Sequence, residues 1–162
     1  MRLNRISAVR AIRDRLSAAP ALQEFFQANF GQAGQFFIGV EKKGRDADQY
    51  PHITFVLPPQ KIERGTNTWT LLIVVGVNEE KIAQSDAYIK AKRDAGESLG
   101  GELIETLAGL VLDNLETKNE LYRDEDLMVY WDGTGYIISD MGTQHPFYEI
   151  ELQLNMTTEP AP

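Results

Sequence analysis

The arrangement of apolar and polar positions along the 162-residue chain falls into two periods, and the segments they mark set the order of elements. Thr68 to Val77, TWTLLIVVGV, reads as the central strand. Trp69, Leu71, Ile73, Val75 and Val77 fall on one side of it, and Leu72, Val74 and Gly76 on the other, because strand side chains alternate with a period of two. Both faces are apolar, so both need cover. Before it, Gln35 to Glu41 and His52 to Leu57 read as two further strands, the second stopped by Pro58-Pro59, since proline cannot donate to a ladder. The links are too short for crossover helices, so antiparallel pairing is expected.

Helical spacing marks the rest of the first half. Asn4 or Ser7 caps a helix to about Ala19, with Ile6, Ala8, Val9, Ile12 and Leu16 as its apolar stripe. Pro20 ends that run or starts the next, and a short second helix, Ala21 to Ala28, follows with Leu22, Phe25 and Phe26 inward and Gly31 past its end. Asn78 to Ala95 is polar and reads as a surface excursion carrying helical turns. Leu99 to Leu115 is the second main helix, with Leu99, Leu103, Leu107, Leu110, Val111 and Leu115 on one face. Gly100 and Gly101 weaken its first turn and suit a close approach to the sheet or to a neighbour.

Thr117 to Asp126 is a charged connector. Leu127–Trp131 and Tyr136–Asp140 flank Asp132-Gly133-Thr134-Gly135 and predict a hairpin. After a loop at 141–145, Pro146 to Thr157 alternates strictly: Tyr148, Ile150, Leu152, Leu154 and Met156 face one way, Glu149, Glu151, Gln153 and Asn155 the other. One wet face is expected. The sum is a single α+β domain over 1–157, with a C-terminal tail of 158–162 that has no reason to order. It is an antiparallel sheet of five to six strands of mixed length with two main helices on one face, in the order α(α)βββαβββ. The second apolar face of the central strand is then left over, to be covered by a curling sheet or by another subunit.

Composition narrows the chemistry. There is no cysteine, which removes disulfides, thiolate metal sites and cysteine nucleophiles. The two histidines, His52 and His145, lack metal spacing and fit structural places beside prolines. No GxSxG elbow or phosphate loop occurs. Asp124-Glu125-Asp126 with Glu120, and Asp46 with Asp48, lack the alternate spacing of a calcium loop. The expectation is no catalytic residue, no cofactor, no metal and no enzyme. No signal peptide or membrane-length run is present.

The net charge of −8 is uneven: residues 1–20 hold five arginines against Asp14, a net +4 that leaves −12 for the remainder. An acidic body disfavours nucleic acid. Opposite ends of opposite sign suit contacts between copies. Arg10, Arg13 and Arg15 on one side, and Glu149 and Glu151 on the other, are the candidate subunit-interface residues.

The helix ISAVRAIRDRLSAA, the strands HITFVLPP and TWTLLIVVGV, the helix LIETLAGLVLDNL and the closing strand HPFYEIELQLNM, in that order over roughly residues 4–157, resemble the tail-terminator and tail-completion proteins of long-tailed phages. The resemblance implies an α+β subunit of a homo-oligomeric ring, typically a hexamer. The ring binds the end of the tail tube, stops its polymerisation and presents the surface that joins the head-completion or connector protein. It implies a phage or prophage protein found in the host cytoplasm during assembly and then in the virion tail. No residue role carries over, because the family has no catalytic motif. Two other readings stay open. One is a head–tail connector or stopper; the other is a small-ligand-binding α+β domain with a pocket under the Asn78–Ala95 excursion.

Overall fold

A computed structural model of the chain describes residues 3–39, 46–61, 67–116, 120–144 and 146–162, with backbone alone at 141–144. His145, the 40–45 part of the loop before Pro51, and 62–66 lie outside the described residues. The fold is α+β. Helices α1 (Arg5–Ser17) and α2 (Pro20–Phe30) precede strands β1 (Gln35–Gly39), β2 (His52–Val56) and β3 (Thr68–Asn78). Then come α3 (Asp86–Asp94) and α4 (Leu99–Leu115), followed by β4 (Tyr122–Asp124), β5 (Leu127–Tyr130), β6 (Tyr136–Gln144) and β7 (Phe147–Pro160). Short 3₁₀ turns occupy Ala47–Gln49 and Glu79–Lys81.

The helix ends follow local chemistry. Asn4 Oδ1 accepts from the Ser7 N–H at 3.1 Å, and Ser98 Oγ accepts from the Gly101 N–H at 3.0 Å, each satisfying an orphan donor of a first turn. Pro20 opens α2 and Gly31, at φ 64°, closes it. The buried stripe of α1 is Ala8, Val9, Ile12 and Leu16, whereas Ile6 is exposed. Ile6 sits about 100° around the helix from the centre of that stripe, at 100° per residue. In α4 the buried line is Ile104, Leu107, Ala108, Val111 and Leu115. Leu99, Leu103 and Leu110 flank it half-covered. The excursion after β3 is mostly helical: Ser85 caps α3 through the Tyr88 N–H at 3.1 Å, and only Ile89 of that helix is buried.

The sheet runs β1-β2-β3-β7-β5-β4, with β6 also on β7. Its axis is the β3–β7 ladder, antiparallel over the whole 11-residue length of β3. Trp69, Leu71, Ile73, Val75 and Val77 pair with Met156, Leu154, Leu152, Ile150 and Tyr148, all on the side covered by α1 and α4. Both main helices therefore lie on one face. Helix α4 packs on β3 and β7. A Cβ at Gly100 would lie 2.5 Å from the Tyr148 ring, so glycine there lets the helix come down on the strand. Helix α1 touches both β1 and β4, the two ends of the sheet path, so the sheet curls toward it. Where β2 has ended, the Gln60 side-chain amide takes its place, donating to the Thr70 C=O at 2.9 Å and accepting from its N–H at 2.8 Å.

Three pairings differ from the expectation. First, β1 and β2 run parallel. The chain between them spans 40–51, about the dozen residues that a parallel connection needs. Second, β5 and β6 do not form a hairpin with each other. Both lie antiparallel on the same edge of β7, β5 on 157–160 and β6 on 147–154, so they act as one strand interrupted at Trp131–Gly135. The hairpin is β6–β7, since β6 extends to Gln144 opposite Phe147. The connector instead carries β4, paired with β5 around a two-residue turn with Glu125 at φ 51°. Third, β7 continues to Pro160, and Thr158 Oγ1 accepts from the Trp69 indole at 2.9 Å; the tail that was read as unordered is mostly strand.

The second face of β3 is covered within the chain. Leu72 and Val74 are 5% and 6% exposed, so no second subunit is required to bury them. Replacing Ile73, fully buried on the central strand, by alanine is expected to cost about 2–5 kcal/mol, while Ile137→Ala on exposed β6 stays within about 0.5 kcal/mol. Urea unfolding of dilute protein measures both.

Candidate functional site

On the face of the sheet away from the helices, the polar positions of β7 meet β2 across β3. The register places His52, Gly76 and Glu149 in one row, and Thr54, Val74 and Glu151 in the next. Gly76 has no side chain, so His52 and Glu149 reach toward each other over it. Nε2 of His52 lies 3.9 Å from Glu149 Oε1. A Cβ on residue 76 would stand 2.5 Å from that Nε2 and 2.8 Å from Tyr50 Cε1. Tyr50 packs edge-on against His52, with ring centroids 4.9 Å apart, and its hydroxyl donates to Glu149 Oε1. His52 Nδ1 and Thr54 Oγ1 share a hydrogen bond of 3.0 Å. Phe147 lies against Tyr50 at 5.0 Å, tying the start of β7 to the row.

This row is buried: His52 is 1% exposed, and its Nε2 has no hydrogen-bond partner among the described residues. The Tyr50–Glu149 and His52–Thr54 hydrogen bonds link the residues before and along β2 to β7 across Gly76 of β3. No group of three or more potential metal ligands occurs among the described residues. Two of the acids weighed in the sequence have local partners. Asp46 caps the Ala47–Gln49 turn together with Gln49, and Glu120 pairs with Arg123 at 2.9 Å.

The cleft under the 78–95 excursion measures about 370 Å³. It is lined by Ile89 and six charged side chains, among them the Glu79–Arg93 pair at 3.1 Å and the Lys90–Asp94 pair at 3.2 Å. Glu79, itself 3% exposed, also accepts from the Gly100 N–H at 3.3 Å. Its carboxylate thus clasps α3 to the first turn of α4, where a negative charge is favoured. Small-molecule pockets are lined mostly by apolar and aromatic side chains with a few polar groups; here Ile89 is the one apolar residue of the lining, and the rest of its apolar surface comes from the stems of charged side chains.

The remaining feature is the edge strand β6. Tyr136, Ile137, Ile138, Ser139 and Asp140 are exposed in succession, with Ile137 and Ile138 about half exposed at 56% and 48%. They alternate faces, so apolar surface is bare on both sides of the sheet. Among the described residues β6 pairs with β7 alone. An apolar edge is a template for another strand unless charge or proline blunts it; Tyr136–Ser139 holds neither, and the first charge on the strand is Asp140. No protein-family model matches the chain, and no curated protein matches it. No helix among the described residues is long and apolar enough to cross a membrane.

The predicted interface residues separate. Arg10 and Arg15 are exposed on α1, and Arg13 is 3.0 Å from its neighbour Asp14. Glu149 and Glu151 lie on the opposite side of the sheet; Glu149 is taken up with Tyr50, and Glu151 is buried. The two sets do not meet within one chain, and little of either carboxylate is offered outward. Sequence reasoning placed a strand at Tyr136–Asp140, where β6 begins, but missed that it is a bare edge on β7. Its one signal was the run Tyr-Ile-Ile, which lacks the alternation of a strand with a single buried face.

Gly76→Ala is expected to destabilise the fold by about 1–3 kcal/mol through overpacking, with less than additive loss in combination with His52→Ala. Thermal unfolding of the double-mutant cycle reads this. Asp132 accepts from both the N–H and the hydroxyl of Thr134, each at 2.8 Å, and these bonds hold its carboxyl below the ordinary aspartate value. The turn is then fully supported above that ordinary value and loosens as pH falls through the lowered one. The Thr134 amide resonance followed over acid pH should report a midpoint below that of an unperturbed aspartate.

Proposed function

We propose that this protein is a tail terminator: a subunit that assembles with its own copies into a ring on the end of a phage tail tube. There it stops tube polymerisation and presents a surface to the head-completion or connector protein. The observation that carries the reading is the bare β6 edge, an apolar strand on an otherwise well-buried domain, since contiguous exposed apolar surface marks interaction sites. The order of helices and strands, which resembles that family, supplies the particular assembly. The charge-lined, self-paired cleft weighs against a small-molecule pocket. The setting that goes with this reading is host cytoplasm during assembly and then the virion tail.

Light scattering over rising concentration, with the tail tube of the same particle present or absent, tests it. The expected result is a discrete multimer, formed alone or on tube ends, and arrest of tube growth. A monomer under every condition that leaves tube growth untouched overturns the proposal. Stable capture by the head-side connector ring with no affinity for the tube would reassign the protein as a connector.

A further inference from the structure

We infer that copies of this chain join head to tail, the β6 edge of one copy docking on the α1–β1 end of the next. The inference rests on the self-assembly reading above and adds the polarity of the contact and its two surfaces.

Three observations lead there. The first is the backbone. The outer side of β6 has no strand partner among the described residues, so a row of amide donors and acceptors awaits one, and an added strand satisfies them. At the other end of the sheet path, β1 pairs with β2 alone among the described residues. The second is that Ile137 and Ile138 are bare on opposite faces. A single helix or loop would cover one of them. A second copy brings a sheet flanked by a helix layer, with α1 packed beside β1, and so covers both.

Charge then decides the orientation. Exposed Asp132 and Asp140 lie just before and within β6. Exposed Glu116 stands over the same turn, its Oε1 2.5 Å from where a Gly133 Cβ would be. A separate surface, helix α1, carries exposed Arg10 and Arg15 and half-buried Arg5, none of which has an ion pair among the described residues. A two-fold contact of β6 with β6 would bring the two acidic sets together, and like charges across an interface cost several kcal/mol. A head-to-tail contact sets acids against arginines. Contacts of that kind are heterologous, and they close into a ring when the rotation per subunit permits.

Two charge reversals in the full-length chain test the contact: Glu116→Lys with Asp140→Lys on the β6 side, and Arg10→Glu with Arg15→Glu on α1. All four positions are exposed, and circular dichroism with thermal unfolding verifies each fold. Analytical ultracentrifugation should show each reversed protein assembling at least about tenfold more weakly than wild type. An equimolar mixture should recover assembly, since the basic β6 side of one variant then meets the acidic α1 of the other. Ile137→Asp, which alters β6 without touching α1, should also abolish assembly. If the α1 reversal leaves assembly intact while the β6 reversal abolishes it, the contact is two-fold and the inference is overturned. Should wild type assemble while none of the variants differs from it, the contact lies elsewhere and the inference falls, though the ring reading stands. A wild-type chain that never assembles removes the reading underneath.

Discussion

Pairing of β3 with β7 sets almost everything else in this molecule. Eleven residues of β3 find antiparallel partners, and the alternation of the two strands sends large aliphatic side chains to the helices from both at once. Each such side chain, fully buried, contributes about 1.5–3 kcal/mol. The same register puts Gly76 opposite both His52 and Glu149. A slip by one residue would turn Glu149 and Glu151 toward α4 and leave isoleucines and leucines in the polar row. The oily layer and the polar row are thus two readings of one alignment, and each penalises the error that would spoil the other.

The length of β7 creates the exposed edge. At 14 residues it outruns any one neighbour on its far side. It is paired there by β6 and then by β5, with a break at the Asx turn of Asp132 and Thr134. Helix α4 covers β3 and β7, so β6 reaches past the helical layer. Leu152 and Leu154 are fully buried on β7 while their neighbours Ile138 and Tyr136 are half exposed one strand further out. The domain therefore combines a closed interior with an exposed margin at β6.

Less of the candidate site than of the core was legible in the residues. The basic helix was plain, because five arginines within twenty residues need no fold to be noticed. The surroundings of the acids were not. Glu149 and Glu151 have the alternation of a wet strand face, but that alternation does not say that Tyr50, a hundred residues away, donates to one of them. Asp132 and Glu116 sit on separate elements and become neighbours only through the turn at Gly133.

What the sequence settled alone was local: where α1, α2 and α4 begin, the position of β3, and the class of the fold. Those follow from caps, from apolar period and from glycine and proline, all set within a few residues. The parallel partner of β1, the tandem placement of β5 and β6 along β7, and the burial of the second face of β3 were decided by the tertiary structure. Strand partners are chosen by contacts between residues far apart in the chain, and a β-prone run such as Tyr136–Ile138 carries no mark of which neighbour it will meet or which of its sides will stay bare.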